Sequence, residues 1–174
     1  SNYILTRMES ERTDYAAALA EAQEKGYAEK DPTLDIDGTD SAHKLAILAR
    51  MAFGVDVELG SIHAEGIQGV DLSDVLYAGQ MGYRIKLLAI AKMTPDGLEL
   101  SVHPTLVEKS RVLAQVDGVF NAVEVVGDAV GDTLFYGRGA GMMPTASAVV
   151  ADLLDVAAGR AQVRPVAQAG RDAL

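Results

Sequence analysis

A lysine four residues after an aspartate, with a run of carboxylates just ahead of both, can hold a small cation and move a proton. In "GYAEKDPTLDIDGTDSAHK", residues 26–44, the acids are Glu29, Asp31, Asp35, Asp37 and Asp40, and the lysine is Lys44. Lys44, Ile47, Leu48 and Met51 stand at helical spacing, so they share one face, with Asp40 one turn earlier. That face is apolar, which predicts that Lys44 points toward the core side. Burial lowers a lysine's pKa and a nearby carboxylate raises it, so a lysine balanced between the two gives and takes a proton near neutral pH. The competing reading is an ordinary Asp–Lys pair at i, i+4, worth about 0.2–0.5 kcal/mol, and spacing does not separate the two.

Glu29, Asp31, Asp35 and Asp37 repel one another unless a cation comes between them. A substrate ammonium suits that place better than a metal, because "EKDPTLDIDG" lacks the alternating oxygen ligands and terminal glutamate of a calcium loop. A metal held by Glu29, Asp35 and Asp40 and a simple solvated acidic loop stay open as alternatives. His43, His63 and His103 have no marked Ser or Cys nucleophile and no zinc spacing, so they read as structural, His103 at a strand exit before Pro104. Lys86, in "YRIKLLAIA", interrupts a mostly apolar strand; an exposed or edge position would account for it, and a place beside the site stays open as the alternative, so it is left unassigned.

The elements that must position these groups follow from periodicity. Residues 2–25 read as one or two helices ending at Gly26, and residues 26–38, with Pro32 and Gly38, as a loop. A helix runs from about Thr39, capped by Thr39 or Asp40, to Phe53 and stops at Gly54. Residues 61–67 are short and extended or irregular, and a capped helix starts at Asp71. Strands are predicted at 83–93, 98–107, 119–128 and 132–138, the first two joined by the turn "TPDG". A last helix starts at Pro144 and ends before Gly159. Helices first and strands later imply an α+β fold, with a mixed, largely antiparallel sheet covered by helices on one face. Strands 83–93 and 119–128 are apolar on both faces, so the other face is expected to meet a partner subunit.

The 174 residues suffice for one sizeable core; 15 Lys and Arg against 25 Asp and Glu give a net charge of −10, which argues against nucleic acid as a partner. No cysteine is present, so disulfides and thiolate metal sites are excluded. No apolar run approaches the roughly 20 residues that span a bilayer, and no signal-peptide layout opens the chain, so a cytoplasmic protein without membrane contact is expected. The opening "SNYILTRM", already helix-like, reads as the start of a piece of a larger protein.

The segment 26–44 resembles the signature of homoserine dehydrogenases: a Gly-aromatic pair, an acid, D-P, D-hydrophobic-x-G, x-D and a lysine four residues later. "SNYILTRM" resembles that family's Asn-Tyr-Ile-Leu stretch, and "YGRGAGMMPTASAVVADL" its closing Gly-rich turn and helix. The resemblance covers nearly residues 1–158 and implies NAD- or NADP-dependent interconversion of homoserine and aspartate 4-semialdehyde, on the route to threonine, methionine and isoleucine. It implies Lys44 as proton donor and acceptor, Glu29 and Asp40 as substrate-binding residues with Asp35 and Tyr27 beside them, and Gly26, Gly139 and Gly141 close to the cofactor. Residues 1–142 would be the substrate-binding, catalytic and dimerisation domain, 143–158 a helix packing on a nucleotide-binding domain that lies upstream, and 159–174 a linker. A homodimer or homotetramer is implied, and a monovalent-cation site would also lie upstream. "GRGAG" is not itself the dinucleotide fingerprint, because it lacks the x-x-Gly continuation and a following acid. A non-catalytic amino-acid-binding or oligomerisation module of the same fold is the rival reading.

Overall fold

The computed structural model describes residues 1–139 and 141–160. Two helices open the chain, α1 (Asn2–Glu11) and α2 (Tyr15–Glu24). They separate at Arg12, in the left-handed region at φ 54°, and Asp14 restarts the chain by accepting the Ala17 N–H at 2.8 Å. Gly26, at φ 71°, ends the pair. The segment expected to be a plain loop contains one helical turn, α3 (Thr33–Ile36), because Ile36 is buried and pulls the turn onto the core.

Helix α4 (Thr39–Phe53) has the expected length but a different cap. Its N-cap is Gly38, at φ 90°, and the Asp37 carboxylate accepts the Thr39 N–H at 2.8 Å; neither Thr39 nor Asp40 caps it. After β1 (His63–Ala64) and α5 (Leu72–Gln80) come the long strands β2 (Tyr83–Thr94) and β3 (Gly97–Glu108), then β4 (Phe120–Gly127), β5 (Gly131–Arg138) and α6 (Met142–Ala157).

The strands form two sheets rather than one. The first has the order β1-β3-β2, parallel between β1 and β3 and antiparallel between β2 and β3; the second is the β4-β5 hairpin. His103 and Pro104 lie inside β3, not at its exit. A proline is tolerated there because β1 pairs only as far as Val102, leaving one edge of β3 free beyond it.

Cross-strand partners share a face, so Ile85, Leu87, Ala91, Leu100 and Val102 lie together, and all of them pack into the core. One cluster joins α1, α2 and α5 through Ile4, Leu5, Met8, Ala18, Ala22 and Val75; the other joins α4 to the sheet through Ala42, Leu45, Ile62 and Val102. The opposite face of β2 and β3 carries Leu88, Ile90, Lys92, Glu99, Ser101, His103 and Thr105, so it is less apolar than the sequence suggests.

Lys86 stands on an edge strand, as expected, but is buried rather than exposed, at 6%. The turn of residues 112–118 folds over it, and its Nζ donates to the Val116 carbonyl at 2.6 Å, Asn2 Oδ1 at 3.1 Å and Asp117 Oδ1 at 3.2 Å. Asn2 Nδ2 in turn donates to the carbonyls of Val116, Gly118 and Phe120, tying the start of α1 to the approach of the hairpin. The linker expected at 159–174 lies almost wholly outside the described residues.

Candidate active site at the start of helix α4

The first turn of α4 sets Asp40 and Lys44 one above the other, and Lys44 Nζ donates to Asp40 Oδ2 at 2.5 Å. The Lys44 side chain is 66% exposed, which overturns its expected core-side orientation. The helix buries Ala42 and Leu45 against the sheet, buries Ala49 as well, and leaves Ile47, Leu48 and Met51 uncovered. Two apolar stripes run along α4, and the smaller residues, able to approach the strands closely, take the interior. The lysine therefore shares an exposed apolar surface.

The acids sort by what they hold. Asp35 Oδ2 accepts the Glu29 N–H at 3.1 Å, which closes the loop on itself and sets the exposed Glu29 side chain. Gln23 Nε2 donates to the Glu29 carbonyl at 3.1 Å and steadies the same segment. Asp31 accepts from both the N–H and the hydroxyl of Thr33, and the hydroxyl bond holds its carboxyl below the ordinary range. Asp31 and Asp37 thus serve the backbone, while Glu29 keeps its carboxylate free among the described hydrogen bonds.

Three of the candidate groups meet at the start of α1. Asp35, Lys44 and Asp40 all lie within electrostatic reach of the backbone nitrogen of Ser1. Asp35, Asp40 and Lys44 are therefore neighbours in space as well as in sequence. Tyr27 is exposed, its ring 4.8 Å from that of Tyr3. Among the described residues no group of three or more His, Asp or Glu is gathered to hold a metal.

The glycine positions lie in two places. Gly26 is exposed, with nothing within 4 Å of where a Cβ would stand. Gly139 and Gly141 flank the junction of β5 and α6, the first against Asn121 and the second at φ 120°, where glycine is favoured. No hydrogen bond or ion pair among the described residues joins that junction to the turn of Lys44. A cleft of about 250 Å³ lies elsewhere, between α1 and Arg84 and Asp117. His43 and His63 are exposed, and His103 Nδ1 lies 3.1 Å from Thr105 Oγ1.

Two residues that periodicity does not reveal belong to the site's framework. Asp37 gives α4 its first acceptor, and "DGT" at residues 37–39 is the signal that could have marked it. Gly66 runs flush against Ile36 and Asp37, a long-range approach with no local sequence signature.

The family model that matches is that of homoserine dehydrogenase, over residues 1–154. A homoserine dehydrogenase of Pseudomonas aeruginosa is 55% identical over 155 residues, which are 89% of this chain and 36% of that protein. The solved structure of a homoserine dehydrogenase from Thiobacillus denitrificans superposes with a TM-score of 0.88 at 51% identity, covering 95% of this chain and 39% of that one. A hyperthermophilic archaeal homoserine dehydrogenase mutant solved in complex with NADPH superposes at 0.73 with 29% identity, over 94% of this chain and 46% of that one. The chain thus spans about a third of the length of the curated relatives it matches.

Proposed function

The chain belongs to the homoserine dehydrogenase family, and from that premise we propose that it carries the substrate side of a reversible NAD(P)-dependent interconversion of homoserine and aspartate 4-semialdehyde. The observation that carries this reading is the Lys44–Asp40 pair, set at the rim of an acidic turn with its ammonium end open.

The substrate's ammonium would lie against Glu29 and Asp40, with Asp35 holding the Glu29 backbone and Tyr27 walling one side. In the oxidative direction neutral Lys44 takes the proton of the substrate's hydroxyl as its carbon becomes a carbonyl; in the reductive direction the lysinium returns it. A bound nicotinamide cofactor would supply or accept the hydride. The open space at Gly26 and the positive φ of Gly141 fit close backbone approach by a flat cofactor.

Helix α6, which buries none of its residues, would pack on a nucleotide-binding unit. The apolar faces left open on the hairpin would be the oligomerisation surface, in a homodimer or homotetramer. No helix among the described residues is long and apolar enough to cross a membrane; a cytoplasmic enzyme of amino-acid biosynthesis is part of the proposal.

The test is homoserine-dependent reduction of NAD or NADP by the intact enzyme, alongside Glu29→Ala. The variant is expected to raise the homoserine KM roughly tenfold or more, the scale of one charge-assisted contact, without changing the cofactor KM. An intact protein that binds homoserine and reduces neither cofactor would instead establish the non-catalytic module.

A further inference from the structure

We propose that Asp37 and Gly66 are positioning residues for the Lys44–Asp40 pair, fixing the start of α4 against the sheet so that the lysine meets the substrate's oxygen. The inference rests on the reading of Lys44 and Asp40 given above.

Asp40 and Lys44 project from the first turns of α4, so the place of that helix start decides where the ammonium sits. Three contacts fix it. Asp37 accepts the Thr39 N–H at 2.8 Å, satisfying one of the otherwise unpaired donors at a helix N-terminus. Gly38, at φ 90°, lies so close to the strand side that a Cβ would stand 3.3 Å from both the Glu65 carbonyl oxygen and Val102 Cγ1. Gly66 is tighter still, since a Cβ there would stand 1.9 Å from the Ile36 carbonyl oxygen and 2.4 Å from Asp37 Cα. Backbone bonds continue the brace on either side of Gly66: Ile67 N–H to the Ile36 carbonyl at 2.8 Å, and Glu65 N–H to the Val102 carbonyl at 2.7 Å.

The acid turn is thus hung from β3 through residues 65–67. Asp35, immediately before Ile36, is carried by the same brace and passes the constraint to Glu29. A side chain at residue 66 would push residues 36–37 away and move the substrate carboxylates and Lys44 together. Loss of the Asp37 acceptor would free the first turn of α4 alone. Displacements of about 1 Å in a catalytic group cost about 10²-fold in rate, so small shifts at these remote positions are readable in turnover.

The experiment compares the intact wild-type enzyme with Asp37→Ala, Asp37→Asn, Gly66→Ala and Lys44→Ala, measuring kcat, both KM values and the pH profile of kcat. Asp37→Ala is expected to lower kcat about tenfold or more and to shift the limb of the pH profile that Lys44 governs, with the cofactor KM unchanged. Asp37→Asn keeps an acceptor oxygen and is expected to restore kcat to within about threefold. Gly66→Ala is expected to lose about 10²-fold and to raise the homoserine KM. Should Gly66→Ala fail to fold, the two Asp37 variants decide the question. Equal losses in Asp37→Ala and Asp37→Asn, or an Asp37→Ala enzyme that melts lower but turns over with wild-type kcat and pH profile, would overturn the proposal. With Lys44→Ala inactive and the Asp37 variants normal, the positioning role fails alone. Absence of homoserine turnover in the wild type defeats the underlying reading as well.

Discussion

Lys44 and Asp40 stand ion-paired one turn apart on the exposed side of α4. Helix α4 has two apolar stripes, and a 3.6-residue period marks both without saying which one meets the chain's own sheet. Ile47, Leu48 and Met51 looked like the core stripe because they are large, yet Ala42, Leu45 and Ala49 occupy it. Leu45→Ala is therefore expected to destabilise the chain by about 2–4 kcal/mol and Met51→Ala by no more than about 0.5 kcal/mol, in denaturant unfolding. Equal effects would mean that the stripes are misassigned. Lys86 shows a second limit, because its burial depends on a turn that arrives some 30 residues later. Burial lowers its pKa from the ordinary 10.5 more than Asp117 raises it. The unfolded chain thus binds the extra proton in the window below 10.5, and stability should rise with pH there. The stability difference between wild type and Lys86→Met should shift toward wild type between neutral pH and that value, and a flat difference would contradict this.

Element boundaries came through well where the sequence has local punctuation. "TPDG" marks the β2–β3 turn and Gly54 the end of α4, and both stand where expected. Features made by distant partners did not come through. The parallel pairing of β1 with β3 involves two residues, too few for any period, and the division into two sheets has no local signal. The packing of α1 on α2 adds an acid-sensitive tie. Glu21 accepts from Lys25, Arg7 and Tyr3, and Lys25 first and Arg7 second bring its pKa down from 4.5 to about 2. A carboxylate with a depressed folded pKa contributes stability that is present above 4.5 and fades as pH falls through about 2. Melting Glu21→Gln across that window should give a shallower acid decline than wild type. An identical decline would show that the tie contributes nothing.

Over the whole molecule, the surfaces left open are as informative as the core. Helix α6 buries no residue, and Val123, Val125, Val126, Phe135 and Tyr136 of the hairpin are exposed. A two-stranded hairpin is marginal by itself, so these faces call for neighbours. Of the two strands expected to be apolar on both faces, β4 leaves Val123, Val125 and Val126 exposed, whereas the second face of β2 is half polar. The 174-residue chain alone is expected to show no dehydrogenase activity, and measurable NADPH-dependent reduction of the semialdehyde by it would refute that. The family was readable from three ordered motifs, while the roles of individual site residues rest on chemistry that only turnover can test. The most direct measurement is kcat for homoserine oxidation by the intact enzyme carrying Lys44→Ala. A fall of about 10²-fold or more, the scale of a lost acid–base group, is the expected result; near-normal turnover would remove Lys44 from the mechanism.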